Sequence, residues 1–225
     1  MIREQVLIKF KNVGLHYGAG PEILKNLNFN IDPGSFHFLT GPSGSGKTSL
    51  LRLLLLSMRP TAGEMEMFGN STTNLSKAEL MQMRQHIGIV FQEFRLLDHL
   101  TTFQNVALPL VVRGEPESSY KSNVEELLDW VGLGHQMHVR PELLSGGEKQ
   151  RAAIARAVIA KPDLLLADEP TGNVDPELSE RLLHLFVELN RMGTTIILAS
   201  HELHLLNKFK FPRLQLKDGG INVSN

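Results

Sequence analysis

Apolar and polar residues alternate with a period of two through Leu27-Asn28-Phe29-Asn30-Ile31, the pattern of a half-buried strand. Val6-Leu7-Ile8-Lys9-Phe10 reads as a strand before it, and Asp32-Pro33-Gly34-Ser35 reads as a turn after it. Phe36 to Leu39 then runs as a strand into a glycine-rich loop, and the apolar run behind that loop predicts a helix from Thr48 to about Met58, stopping near Pro60. Glu64 to Phe68 reads as a strand. Ser76-Lys77-Ala78-Glu79 is a capping box that opens a short helix. Ile87-Gly88-Ile89-Val90-Phe91 is the next strand, ending at Gln92.

The period changes after residue 93, and helices are expected up to about Lys161. Val124, Leu127, Leu128 and Val131 fall on one helical face. Ser145 with Glu148 makes a second capping box, and Pro162 ends that helix. Leu164-Leu165-Leu166-Ala167 is apolar throughout, as a strand covered on both faces should be. Asp175-Pro176 supplies an N-cap and a proline at the first helical position. Leu178, Leu182, Leu185, Phe186 and Leu189 form that helix's buried stripe, and Gly193 closes it. Thr195 to Ala199 is a further buried strand, and Leu214-Gln215-Leu216 precedes a glycine turn. Gly114 to Ser119 is expected to be a flexible loop. Strands and helices in this order describe an α/β protein.

Composition narrows the function. The chain has 225 residues, 42% of them hydrophobic and 21% charged, the balance of a water-soluble globular protein. A net charge of −1 speaks against a general grip on nucleic acid, which needs a basic surplus. With no cysteine, neither a disulfide nor a thiolate metal site can form. The most apolar run, Leu50 to Leu56, contains Arg52 and falls far short of a membrane span. Met1-Ile2-Arg3-Glu4-Gln5 lacks the apolar core of a signal peptide. Action at a membrane would therefore need a partner that spans it.

The chemistry is concentrated in a few positions. Gly41-Pro42-Ser43-Gly44-Ser45-Gly46-Lys47-Thr48 is a complete phosphate-binding loop between a strand and a helix. Its glycines let backbone N–H groups converge on an anion, and the helix start adds partial positive charge. Lys47 is expected at the β- and γ-phosphates of a bound triphosphate, and the Thr48 hydroxyl on Mg²⁺. Asp168, at the end of a buried strand, faces the crevice where α/β sheets bind ligands and is a second candidate for Mg²⁺. Glu169 beside it is the candidate general base for the attacking water. Gln92 ends another strand, where its amide can reach both the metal's water shell and the γ-phosphate. His201, after the strand 195–199, can donate to that phosphate. Ser145-Gly146-Gly147 opens a helix with free N–H groups and a hydroxyl, which makes a second anion site of different design. His135 with His138, and His201 with His204, have metal-like spacing, but no further ligands complete a site.

These residues together resemble the ATP-binding cassette (ABC) ATPase family over nearly the whole chain. Walker A corresponds to Gly41–Thr48, the Q-loop to Gln92, and the signature to Leu144-Ser145-Gly146-Gly147-Glu148-Lys149-Gln150. Walker B corresponds to Leu164–Asp168 with Glu169 as catalytic carboxylate, the D-loop to Gly172-Asn173-Val174-Asp175, and the switch histidine to His201. Tyr17 lies where the family places an aromatic on adenine.

The resemblance implies a P-loop NTPase fold in one domain, residues 1–225. A mixed sheet forms its RecA-like core, with an N-terminal antiparallel β-subdomain and a helical subdomain inserted at about 93–161. It implies ATP and Mg²⁺ as ligands, and a head-to-tail homodimer in which Ser145, Gly146, Gly147 and Asp175 of one copy complete the site of the other. It also implies an integral membrane, permease-like partner at the cytoplasmic face of the inner membrane. Phe91-Gln92, Leu96-Leu97, Asn105 to Leu110 and Asp168 to Asn173 resemble the branch that serves cell division, lipoprotein release and macrolide export, the first of these above all. Val174, Ser200 and Glu202 depart from that pattern, which has leucine, threonine and aspartate there. Residues 93–110 are the expected docking face for a helix of the partner. Phe94, Leu96, Leu97 and Leu100 either line that face or pack inside the helical region.

Overall fold

Among the described residues, ten strands form two sheets. In the computed structural model the described residues are 6–172 and 176–224, for Pro176, Leu178 and Leu203 the backbone only. Asn173, Val174 and Asp175 lie outside them. The first sheet is antiparallel, in the order β2 (Glu22–Ile31), β1 (Ile8–His16), β4 (Ala62–Met67), β5 (Asn70–Ser71). The second is mixed, in the order β10 (Gly220–Ser224), β9 (Arg213–Lys217), β3 (Phe36–Thr40), β8 (Thr195–Ala199), β7 (Leu164–Asp168), β6 (Ile87–Val90). β9, β3, β8, β7 and β6 run parallel, and only the edge strand β10 is antiparallel.

The central strands β3, β8 and β7 are covered on both faces, as their unbroken apolar runs require, while β9 alternates and the edge strand β10 is open. Leu39, Leu164, Leu166 and Ile197 point into a core shared with the antiparallel sheet and with helix α1 (Lys47–Leu54). Their alternates, Phe38, Leu165, Ala167 and Leu198, meet helix α6 (Pro176–Arg191), helix α7 (Leu203–Lys208) and one face of helix α5 (Gly146–Val158). A third cluster joins Ala152 and Ala155 of α5 to helices α3 (Thr102–Val112) and α4 (Glu117–Trp130). The predicted stripe Val124, Leu127, Leu128 and Val131 packs there. α5 therefore belongs to two cores at once.

Both predicted capping boxes are formed, at Ser76 ahead of helix α2 (Lys77–Arg84) and at Ser145 ahead of α5. Two expectations need correction. α1 ends at Leu54, well before Pro60, in a Schellman turn: Ser57 N–H bonds Arg52 O and Leu56 N–H bonds Leu53 O, with Leu56 left-handed at φ 57°. The expected loop 114–119 is half helix. Pro116 caps α4, Glu117 favours its first turn, and the Ser119 hydroxyl donates to Pro116 O.

Candidate nucleotide site

Three neighbouring parallel strands deliver the site. β3, β8 and β7 end level, with Leu39 and Asp168 both paired to Ala199. The chain leaves their C-terminal ends at Gly41, Ser200 and Glu169. This is the crevice side of an open α/β sheet.

The loop after β3 can take its shape only with glycine. Gly41 has φ 148°, and a Cβ there would collide with the Leu216 carbonyl on β9. Gly46, left-handed at φ 101°, is the N-cap of α1 and gives that helix no side-chain cap, so its first N–H groups stay open to an anion. Lys47 folds back over the loop, donating from Nζ to Gly41 O at 2.8 Å and to Pro42 O at 3.2 Å. The Ser45 hydroxyl is buried in the loop without a protein partner. Tyr17 stands beside α1, its hydroxyl 3.1 Å from Ser49 Oγ and accepting from Arg52 Nη1 at 3.4 Å.

The acids lie one strand further on. The Thr48 hydroxyl donates to Asp168 Oδ2 at 3.4 Å. Burial, and next the charge of Glu169, push the Asp168 carboxyl up, against the Thr48 hydrogen bond and the charges of Lys47 and Arg52. A hydroxyl and a half-buried, charge-crowded carboxylate are the hard oxygen donors that suit a divalent cation. Among the described residues no cluster of three His, Cys, Asp or Glu could hold a metal alone. A cation at Thr48 and Asp168 would therefore need phosphate and water to fill its shell. Gln92 lines the same cleft of about 430 Å³, together with Thr48, Arg52 and Asp168. Arg52, which the motifs did not single out, sits four residues after Thr48 on the same helical face.

Glu169 leaves the strand with φ 48°, its N–H bonded to Ala199 O at 3.0 Å and its carbonyl accepting from Gly172 N–H at 3.2 Å. Its Oε1 accepts from His201 Nδ1 at 3.1 Å, which puts the imidazole hydrogen on Nδ1. Beyond His201, the Thr171 hydroxyl donates to Glu202, and the Glu202 N–H donates to Ser200 Oγ at 3.2 Å.

Ser145-Gly146-Gly147 is not brought to this crevice within one chain: neither cavity beside the phosphate loop is lined by it. The Ser145 hydroxyl instead caps α5 and donates to Glu148 Oε2 at 2.7 Å, a bond that holds the Glu148 carboxyl below its usual range. A Cβ on Gly146 would meet open space.

An apolar groove of about 390 Å³ opens on the edge-strand side, between β6, α2, α3 and α5. Met81, Ile89, Phe91, Leu108, Pro109 and Val112 line it. Phe94, Leu96, Leu97 and Leu100 do not: Leu96 packs on the third cluster, and Leu97 is partly exposed. Nothing in the residue pattern of 93–100 distinguished the two outcomes, because the chain there follows no period.

A phosphate loop, a strand-end acid and a glycine-led helix on a mixed sheet define a P-loop nucleotide-binding architecture. Residues 24–172, more than half of the chain, match the ABC transporter family, and the chain belongs to it. It is similar to the cell division ATP-binding protein FtsE of Escherichia coli strain K12, 42% identical over 216 residues, covering 96% of this chain and 97% of that one. FtsE of Haemophilus influenzae is 44% identical over 95% of this chain and 98% of its own, and FtsE of Bacillus subtilis 38% identical over 95% and 93%. Among solved structures, the dimeric post-hydrolysis state of the ATP-binding cassette MJ0796 bound to ADP and Pi superposes with a TM-score of 0.89. That cassette is 34% identical, over 97% of this chain and 98% of its own.

Proposed function

We propose that this chain is the ATP-binding and ATP-hydrolysing subunit of a cell-division complex of the FtsE type, working as a nucleotide-closed homodimer on a membrane partner resembling FtsX. The observation that carries the reading is the meeting of Thr48 with Asp168 and of Glu169 with His201 at the ends of three adjacent strands. The triphosphate lies on the N–H groups of 41–48, with Lys47 released from its carbonyls to the β- and γ-phosphates. Tyr17 covers the adenine. Thr48, Asp168 and Gln92 hold Mg²⁺, which when bound neutralises developing phosphate charge.

Glu169 orients the attacking water and accepts its proton. His201 holds Glu169 in place through Nδ1. With Nδ1–H given to Glu169, His201 donates to a γ-phosphate either by releasing that bond or by taking a second proton on Nε2. Ser145, Gly146 and Gly147 of the second copy, with Asp175, close the site. Their absence from the walls of their own chain's crevice supports a role in the partner's. In this reading residues 1–225 form one ATPase domain with the helices of 93–161 inserted in its core. The described residues include no helix long and apolar enough to cross a membrane. The protein would then sit peripherally on the cytoplasmic face of the inner membrane, held by its partner through the apolar groove.

Phosphate release tests the reading. Glu169→Gln should still bind ATP, lose nearly all turnover and accumulate as an ATP-bound dimer. Hydrolysis at the unaltered rate would remove Glu169 from its assigned role.

A further inference from the structure

The chain just beyond Gln92 is held in an unfavourable shape by one arginine. Phe94 and Arg95 are consecutive left-handed residues, φ 59° and 49°, and neither is glycine. Such a pair persists only where its surroundings over-determine it. Phe94 N–H bonds Phe91 O at 3.0 Å, Arg95 N–H bonds Glu93 O at 2.6 Å, and the Arg95 guanidinium lies 4.3 Å over the Phe91 ring. The loop is thus closed on itself around Gln92. It is also pinned from outside: Arg156 donates from Nη2 to Phe94 O at 2.7 Å and from Nη1 to Arg95 O at 2.6 Å.

Arg156 is half-buried, and burial lowers its pKa. Among the described residues no carboxylate lies within ion-pair distance of it. A cation in that setting would ordinarily be matched by an acid. Here the planar fork is spent on two backbone carbonyls, a geometry lysine cannot reproduce. Arg156 stands on α5, ten residues and roughly 15 Å along the helix from Gly146. It also lines the apolar groove beside Phe91.

We propose that Arg156 is a positioning residue. Its guanidinium fixes the loop that places Gln92, and through the rigid body of α5 it ties that glutamine to the glycine-rich helix start and to whatever occupies the groove. The inference rests on Gln92 acting in the nucleotide site. With the clamp intact, a shift of α5 moves the Gln92 loop. With the clamp removed, the two move independently.

A kinetic double-mutant cycle on the full-length protein tests this, with Gln92→Ala, Arg156→Lys, Arg156→Met and the two doubles. Arg156→Lys keeps charge and bulk, so the cycle holds even where the methionine variant folds poorly. Each Arg156 variant should lower kcat by about ten- to a hundredfold, with the KM for ATP changed less than about twofold. Amide exchange at Phe94 and Arg95 should quicken. Each double variant should be no slower than its slower parent, because both changes act through one side chain. If Gln92→Ala is impaired but the losses add in the doubles, Arg156 does not work through Gln92 and the proposal fails alone. If Gln92→Ala turns over normally, the assignment of Gln92 to the nucleotide site fails, and the proposal falls with it.

Discussion

The Thr48 hydroxyl on α1 and the Asp168 carboxylate at the tip of β7 stand 3.4 Å apart across 120 residues of sequence. Their meeting follows from strand order: β8 separates β3 from β7, so the helix after β3 reaches over one strand to the acid. Asp168→Asn keeps the shape and removes the charge. It should lower kcat by about a hundredfold or more, and weaken ATP binding in the presence of Mg²⁺ far more than in EDTA. Equal weakening under both conditions would separate Asp168 from the metal.

Ser145 caps α5 and is proposed to close the second copy's site, and different substitutions divide the two roles. Ser145→Ala removes only the cap of α5 and should cost about 1 kcal/mol of stability, read from denaturant melts. Ser145→Arg adds bulk where, in the proposed dimer, the second copy would approach. It should leave ATP binding by the single chain intact and abolish ATP-dependent dimerisation, measured by light scattering. Retained dimerisation and turnover would place the closing surface elsewhere.

At Gly88 on β6 the sheet packs tightly against α5, since a Cβ there would collide with the Ala157 carbonyl. Gly88→Ala should destabilise the fold by about 1–3 kcal/mol. Because α5 has to lift, turnover should fall as well. A variant as stable as the wild type would show that the helix yields freely.

His37 on β3 is buried, donates or accepts at Nε2 only with Ser35 Oγ at 3.1 Å, and leaves Nδ1 without a partner. Burial lowers its pKa below 6.5, against the pull of Asp32. The native state thus resists a proton that the unfolded chain accepts. The resulting stability is complete above the unfolded value of 6.5 and declines as pH falls through it towards the lower native pKa. His37→Gln should flatten that part of the stability profile. Unfolding midpoints from about pH 7 down to about pH 5 give the slope, and an unchanged slope would acquit His37.

Much of this could be read in the residues, because local chemistry wrote it there. Ser76, Ser145 and the phosphate loop carry their own signals, and Leu164 to Ala167 announce a strand with no exposed face. Thr101 with Gln104 forms a third capping box by the same rule, in a segment where only helices in general were expected. What stayed hidden depends on tertiary support. Leu56, Phe94 and Arg95 adopt left-handed backbone where no glycine marks the spot. Leu56 is held by a turn of carbonyls, and the other two by an arginine some sixty residues later. In 114–119 the turn residues were recognised, but Pro116 and Glu117 also serve as a helix start, and that reading won. The groove is assembled from four elements, so no single stretch of sequence could display it.

Neighbouring side chains on a strand ordinarily project to opposite faces of the sheet. Asp168 and Glu169 would then serve different surfaces, one of them the hydrophobic interior. The φ of 48° at Glu169 turns the chain as β7 ends and lets the pair escape this rule. The two acids can then share one crevice without an intervening residue, as the proposed division between metal and attacking water requires. The two anions therefore stand side by side at a turn in the backbone that the Glu169 bonds to Ala199, Gly172 and His201 hold in place.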